Sequence, residues 1–178
     1  SASPIQIRWA QGGFSIADFR LTAKQGGFVA GAGTVGADGK LDGRATAQLS
    51  LAMLGAVRPE IREIGGTLDL SLRAFGTLAA PAFLGDGAVH RGHVLLRDRP
   101  EALHDIEARL VFSTQGVQVR DATAAMGGGR LQAQGDIALQ GWQPAAYRFK
   151  LQAKDVAVGQ IEGFSSAWDA DVELSGIT

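Results

Sequence analysis

The sequence predicts an all-β protein, built as one long antiparallel meander from repeated units. Runs of alternating apolar and polar residues recur along the chain, short glycine-rich segments separate these runs, and one stretch of sequence recurs about a hundred residues later. Glycine contributes 25 of the 178 residues, roughly twice its usual share. Such a composition disfavours helices and suits strands joined by tight turns.

The recurrence sets the predicted organisation. Asp18–Gly33 reads DFRLTAKQGGFVAGAG, and Asp121–Gly135 reads DATAAMGGGRLQAQG. Each copy follows an apolar alternation and leads into two more, which end at Gly76 and at Gly176. We therefore predict repeats of approximately residues 14–76 and 117–176 within a single segment, 1–178, of a longer protein. Stacked repeats form an extended surface rather than a compact catalytic pocket.

Strand and turn signals alternate along the chain. Short connections between runs require antiparallel pairing, because a parallel crossover needs a dozen or more residues. Asp38–Gly39 predicts a two-residue hairpin turn with positive φ at both positions, and Ala17–Asp18 predicts a bulge that shifts the alternation. Counting runs gives about ten strands.

One segment has helical spacing. Leu54, Val57, Ile61 and Ile64 would share a helix face within 53–64, but Pro59 limits any helix there to one turn on either side.

Each run has one apolar face, because successive strand side chains point to opposite sides. No helix in the chain is long enough to cover that face, so either the sheet folds over on itself, giving the protein its own core, or a ligand covers part of it. The residues expected to line such a ligand groove are Ile5, Ile7, Trp9, Leu49, Leu51, Leu68, Leu70, Leu72, Tyr147, Phe149, Leu151, Trp168, Val172 and Leu174.

Composition and motifs argue against several other functions. A net charge of −1 gives no basic field for nucleic acid, and the absence of cysteine removes disulfides and thiolate chemistry. Gly31–Gly36 matches the dinucleotide pattern GxGxxG, yet no helix is predicted to follow it, as that fold requires. No window is apolar enough to span a bilayer as a helix.

The remaining polar groups are interpreted as surface residues. His90, His93 and His104 are expected to be exposed loop histidines, and they lack a further ligand cluster for a metal. Asp169 and Asp171 share one strand face and are expected to be solubilising charges. The stretch from Arg91 to Glu101 is expected to be a solvated loop. We predict no catalytic residues, no cofactor and no enzymatic activity.

Two segments carry a resemblance to a known family. Gly66–Pro81 reads GTLDLSLRAFGTLAAP, and Leu103–Leu110 reads LHDIEARL. The spacing resembles the C-terminal repeats of the TamB family, the inner-membrane-anchored subunit of the translocation and assembly module, within the AsmA-like group. The resemblance is best from about residue 65 to residue 176. The charged stretch after Arg91 is longer than the family's usual link and leaves the register across 82–101 undetermined.

The resemblance implies an elongated, curved antiparallel sheet folded as a β-taco, or β-groove, with a hydrophobic interior. It also implies a periplasmic location in a Gram-negative bacterium, as part of an inner-membrane-anchored protein. The implied function is that of a periplasm-spanning bridge that conducts phospholipid to the outer membrane and supports outer-membrane protein assembly. The implied partners are phospholipid acyl chains, a BamA-like outer-membrane protein and outer-membrane protein clients.

Two alternatives remain open at this point. The open sheet edge could act as a template for strands of an outer-membrane β-barrel protein. The chain could instead be a structural β-repeat scaffold with a filled core, although irregular run lengths and inward aromatic residues count against a regular solenoid.

Overall fold

The residues that the structure describes form one antiparallel sheet of eleven strands, and the order of the strands in the sheet is their order in the sequence. The computed structural model describes residues 5–10, 12–23, 26–55, 60–97, 101–141, 143–157 and 167–177. All of the strand pairs are antiparallel neighbours in the sequence, so the all-β meander predicted from the alternation is confirmed, with eleven strands rather than about ten.

The strands lengthen from the first edge toward the middle of the sheet. They are β1 (Ile7–Ala10), β2 (Gly13–Thr22), β3 (Gly27–Val35), β4 (Lys40–Ser50), β5 (Ile61–Thr77), β6 (Pro81–Leu96), β7 (Leu103–Ser113), β8 (Gly116–Met126), β9 (Gly129–Gln140), β10 (Gln143–Ala157) and β11 (Ala167–Ile177), with one short helix, α1 (Ala52–Gly55), between β4 and β5.

The turn between β3 and β4 lies where Asp38–Gly39 predicts it, but it differs in type. The Gly39 amide donates to the Gly36 carbonyl at 2.9 Å, and the Gly36 amide donates to the Lys40 carbonyl at 2.8 Å. Gly39 alone in this turn has a positive φ, of 75°. The connection is therefore a three-residue loop, a β-turn followed by a left-handed glycine, and the predicted two-residue turn was wrong.

The predicted helix over 53–64 is reduced to the four residues of α1. Ile61 and Ile64 lie in β5, where they pair with Leu96 and Val94, so their helical spacing was misleading. Val57 and Pro59 lie outside the described residues. A short apolar run does not distinguish helix from strand by periodicity alone, and here the pairing with β6 decided the outcome.

Bulges interrupt the ladders at several places and shift the phase of the alternation. The bulge predicted at Ala17–Asp18 is confirmed by the register shift between Ile16 and Phe19. Four further bulges contain a non-glycine residue with a φ between 50° and 55°, and these residues are Arg91, Asp105, Asp121 and Asp155. Three of the four are aspartates, which tolerate the left-handed region better than most residues.

At two of these bulges, the backbone amide donates a hydrogen bond to a carboxylate on the neighbouring strand. In β6 the Arg91 amide donates to Glu107 Oε1 at 2.7 Å. In β10 the Asp155 amide donates to Asp169 Oδ1 at 2.9 Å. A bulge leaves a backbone N–H out of the ladder, and an unpaired N–H destabilises the fold. Asp169 therefore has a structural role beyond the solubilising one expected from the sequence.

Two hairpins share the same register around their bulges. Ile16 lies opposite Gly33 before the bulge in β2, and Val119 lies opposite Gly135 before the bulge in β8. The bulge residues are Asp18 in the first hairpin and Asp121 in the second. These aspartates are the first residues of the two similar stretches recognised in the sequence.

Glu107 provides a test of the bulge contacts. Its pKa lies below the ordinary value because the Arg91 amide, and then the His90 imidazole, donates a hydrogen bond to its carboxylate. A depressed pKa stabilises the fold above the unfolded-state value of about 4.5, and this stabilisation is lost as the pH falls through the lower folded-state pKa. We expect Glu107→Gln to lower the melting temperature at neutral pH, and the difference from the wild type to shrink below pH 4.5.

Glu63→Gln is the matched control, because Glu63 contacts His93 at 3.3 Å on the neighbouring strand but is not one of the two carboxylates that bind a bulge amide. Thermal melts followed by circular dichroism across the acid range measure both variants. Equal melting temperatures for Glu107→Gln and the wild type at neutral pH would contradict a stabilising role for this contact.

Candidate functional site

One face of the sheet is apolar across nearly its whole width. Consecutive Cα partners follow one line from β2 to β11, and every residue on that line is apolar or glycine. The line is Leu21, Val29, Ala47, Leu70, Gly87, Leu110, Val119, Gly135, Phe149 and Leu174. We call the surface made by this line and its parallel neighbours the apolar face.

A second line beside the first has the same character. It consists of Phe19, Gly31, Ala45, Leu72, Gly85, Phe112, Val117, Ile137, Tyr147 and Gly176. Each residue of the second line lies two positions along its strand from a residue of the first line, so both lines are on the same face. Neighbouring side chains within each line are in contact range across the strands, and the two lines therefore form one continuous surface.

Small residues stand beside large ones along these lines, and the large side chains lean over them. A Cβ on Gly135 would lie 2.5 Å from Cδ1 of Phe149, and a Cβ on Gly176 would lie 2.6 Å from the hydroxyl of Tyr147. The two aromatic rings therefore lie flat over glycine on the neighbouring strands.

The apolar face is not covered by a second layer of the described residues. Only two hydrophobic side chains among them, Val35 and Val156, have less than 9% of their surface exposed. Trp9 is 76% exposed, Trp168 60% and Leu174 48%. A covering sheet or helix would bury the side chains beneath it, so the described residues do not form the filled core of a sandwich or solenoid.

The structure brings most of the predicted groove residues together on the apolar face. Leu49 lies opposite Leu68, and Leu151 lies opposite Val172. Near the first edge, Ile7 pairs with Ile16, and Trp9 pairs with Phe14. Together with those on the two lines, the predicted residues found in strands are Ile7, Trp9, Leu49, Leu68, Leu70, Leu72, Tyr147, Phe149, Leu151, Trp168, Val172 and Leu174.

Two predicted residues lie outside the strands. Ile5 precedes β1 and is 42% exposed. Leu51 occupies the turn after β4, where its amide donates to the Gly66 carbonyl at 3.0 Å. Trp168 lies on the apolar face through the unbroken alternation of β11, and the bulge at Asp155 in β10 brings Val156 opposite it.

The sequence-based list missed the middle of the apolar face. Leu110, Phe112, Val117 and Val119 in β7 and β8 lie on the two lines but were not among the predicted residues. The signal was present, since Val117 and Val119 alternate with polar residues. The list relied on runs with unbroken alternation, and bulges break the alternation in the central strands.

The opposite face, the polar face, has ladders of hydrogen bonds. Gln48 Nε2 donates to Asp69 Oδ1 at 2.9 Å, and His90 lies between Asp69 and Glu107, with Nδ1 at 2.9 Å from Glu107 Oε2. The chain of contacts crosses four strands, from β4 to β7. On β10 and β11 a Lys150 ammonium 2.9 Å from Glu173 lowers the pKa of that carboxyl.

Several surface predictions need correction. His90 and His93 lie in β6 and His104 lies in β7, so none of them is a loop histidine. The charged stretch from Arg91 continues in β6 as far as Leu96, because the positive φ of Arg91 takes up the extra residue in a bulge. The structure defines the register from Pro81 to Leu96, and Arg99 lies outside the described residues.

The described part of the chain does not support a dinucleotide-binding site, a metal site or a membrane-spanning helix. Gly31 and Gly33 of the GxGxxG pattern are strand residues opposite Ala45 and Gly43, and no helix follows them. The residues that the structure describes contain no cluster of three potential metal ligands. They also contain no helix of the length and hydropathy needed to cross a membrane.

Comparisons with protein-family models, with curated proteins and with solved structures gave no significant match to this chain.

The close contact between Phe149 and Gly135 gives a test of the apolar face. A methyl group at residue 135 would collide with the Phe149 ring and with the Arg148 carbonyl. We expect Gly135→Ala to lower the free energy of unfolding by about 1–3 kcal/mol through overpacking.

Gly43→Ala is the matched control in another mid-strand position, where the nearest atom to the new Cβ is the Ala32 carbonyl oxygen at 3.2 Å. We expect a smaller loss there, because the lower backbone entropy of unfolded alanine offsets mild crowding. Urea denaturation of both variants decides the matter, and a Gly135→Ala variant as stable as the wild type would mean that the ring does not lie over the glycine.

Proposed function

We propose that this chain is a segment of a bridge between two membranes, and that its apolar face carries phospholipid acyl chains along the sheet. One observation carries the proposal: an apolar surface continuous across the sheet has no layer of the described residues over it. A soluble protein rarely leaves so large an apolar surface without a partner.

The dimensions suit a lipid. Eleven strands about 4.8 Å apart span roughly 48 Å across the sheet. A strand of ten residues is about 33 Å long, whereas the acyl layer of one leaflet is about 15 Å thick, half of a bilayer's hydrocarbon core. Both acyl chains of a phospholipid would therefore fit on the apolar face, and several molecules would fit side by side along it.

The energetics favour a continuous surface over a deep pocket. Exposing both acyl chains of a phospholipid to water costs on the order of 20 kcal/mol, at about 0.8 kcal/mol per methylene. An apolar surface that follows the path removes most of this barrier without a catalytic group. Side chains of similar character along each line hold a lipid with nearly equal strength at each step, so that it moves by one-dimensional diffusion.

The bulges favour a groove rather than a flat plate. A bulge bends its strand and increases the local twist, and bulges lie on several neighbouring strands, among them β6, β7 and β8. Bending along that band would fold the sheet into a trough with the apolar side chains inside. The matching registers around Asp18 and Asp121 favour two copies of one repeat unit, which further copies would extend.

The resemblance to the TamB family supports the same proposal. By that analogy the parent protein is anchored in the inner membrane and reaches through the periplasm to a BamA-like outer-membrane partner. It would act without a cofactor and without enzymatic activity.

The edge strand β11 favours a second candidate function. One side of β11 pairs with β10, and the other is the last edge of the sheet among the described residues. Nearly every side chain of β11 is exposed. Such an edge can accept a strand of an outer-membrane protein client by β-augmentation.

Lipid retention distinguishes the two functions. The protein is purified without detergent, incubated with phospholipid vesicles, separated from them, and analysed by native mass spectrometry and solvent extraction. We expect the wild type to retain phospholipid and Leu151→Asp to retain little, because a buried carboxylate opposes acyl chains on the apolar face.

Gln134→Asp is the matched control, because residue 134 lies on the polar face of β9, opposite Lys150, where a carboxylate finds a positive partner. Its lipid content should equal that of the wild type. A folded wild-type protein free of lipid, or equal retention by Leu151→Asp, would remove the basis of the transport proposal and leave edge pairing as the better explanation.

A further inference from the structure

A hollow of about 690 Å³ lies on the polar face near the first edge of the sheet. Its floor consists of small residues, since Ala17 and Ala32 present only methyl groups there and Gly33 and Gly43 have no side chain. We call it the arginine hollow, after the side chains on its rim: Arg8, Ser15, Thr34, Asp42, Arg44 and Arg73.

The rim has excess positive charge, with three guanidinium groups and one carboxylate. Asp42 forms an ion pair with Arg73, whose guanidinium donates to both carboxylate oxygens, at 3.3 Å and 3.1 Å. Arg44 lies 3.7 Å from an Asp18 oxygen, too far for a hydrogen bond, and both side chains are largely exposed. Arg8 forms no ion pair within the described part of the chain.

The corresponding hollow in the second half of the sheet is smaller. It measures about 460 Å³ and is lined by Arg120, Asp121, Asp136, Arg148 and Lys150 among others. Its floor is filled because Arg120 and Gln134 stand where the first hollow has Ala17 and Ala32.

Two of the three cations of this second hollow have partners. Arg120 donates to Gln118, which donates in turn to Asp136. Lys150 is paired with Glu173. Arg148, like Arg8, forms no ion pair within the described residues, so the arginine hollow differs from its counterpart chiefly in free space.

We propose that the arginine hollow binds a phosphate group. Guanidinium groups present parallel N–H donors that match the oxygens of a phosphate, and the Ser15 hydroxyl adds a neutral donor on the same rim. The Thr34 hydroxyl donates to the Asp42 carbonyl at 3.5 Å. The small residues of the floor leave space for the anion to sit among the three arginines. The phosphate belongs either to a soluble phosphate ester or to the surface of an anionic membrane.

This site is independent of the proposed transport of lipid. The arginine hollow and the apolar face lie on opposite sides of one sheet, so a lipid whose acyl chains occupy the apolar face does not place its own head group in the hollow. Failure of one proposal leaves the other in place.

The test uses the whole chain and two probes, inorganic pyrophosphate and phosphatidylglycerol vesicles, with phosphatidylcholine vesicles as the neutral reference. Backbone amide shifts in the NMR spectrum report pyrophosphate binding, and co-sedimentation reports vesicle binding. We expect saturable binding of pyrophosphate with a Kd on the order of 1 mM, as suits a few exposed charge contacts, and weaker binding at higher salt.

Three variants distinguish binding in the arginine hollow from non-specific electrostatic attraction to the protein surface. Arg44→Gln removes one guanidinium, and we expect it to weaken binding about five- to tenfold. Ala32→Gln fills the floor, as Gln134 does in the second hollow, without changing any charge, and should weaken binding at least as much. Arg148→Gln removes one cation from the second hollow and should leave binding unchanged.

The outcomes are distinct. Pyrophosphate binding that is lost in Arg44→Gln and Ala32→Gln, but kept in Arg148→Gln, supports a site for soluble phosphate. Binding to phosphatidylglycerol vesicles with the same variant pattern and no response to pyrophosphate assigns the phosphate to a membrane surface. No binding to either probe, or an equal loss in all three variants, overturns the proposal. If Ala32→Gln does not fold, the comparison of Arg44→Gln with Arg148→Gln decides.

Discussion

The phase of the apolar–polar alternation is the constraint on which the rest of this sheet depends. Because side chains alternate with a period of two, a slip of one residue would move a whole run of large apolar groups to the polar face. Bulges change this phase, and here they keep it consistent from strand to strand. In β10 the bulge at Asp155 returns Val156 to the apolar face, opposite Trp168. Where a neighbouring carboxylate binds the bulge amide, as Asp169 does, the side chains of the polar face hold the apolar face in register.

A single-layer sheet has to obtain its stability from within the layer. Large proteins gain most of theirs from burial between layers, but the described residues include only two hydrophobic side chains that are nearly inaccessible to solvent. Ladder hydrogen bonds and cross-strand pairs on both faces therefore carry more of the stability than usual. This accounts for the ladder from Gln48 to Glu107 on one side and for aromatic rings laid over glycine on the other. A molecule that covers the apolar face of the folded sheet, and does not bind the unfolded chain, would stabilise the fold by mass action.

The type of each element could largely be predicted from the sequence, but the residue-by-residue pairing of the strands could not. Alternation and turn residues were enough to predict an all-β meander, and the interruption between Ile16 and Phe19 was enough to predict a bulge. Left-handed residues other than glycine leave little trace in a single sequence, so the sequence predicts a solvated loop from Arg91 where the structure has a bulge within β6. Most of the predicted apolar-face residues were found because they lie in unbroken runs. The arginine hollow was not predicted, because its floor depends on Ala17 and Ala32 meeting across two strands, which only the register reveals.

The two faces are separated by the thickness of one backbone layer, and this has consequences for how they can communicate. A ligand that bound either face only in the folded sheet would raise the stability of the whole chain by mass action. Cooperativity between them would require that one ligand change the affinity for the other through two arrangements of the sheet. The bulges are the natural place for such a change, since they are where the strands bend and where their amides are held by exposed carboxylates such as Glu107. Where a carboxylate accepts from the bulge amide, as Glu107 and Asp169 do, it opposes such a change. We then expect the two faces to act as independent surfaces built from alternate residues of the same strands.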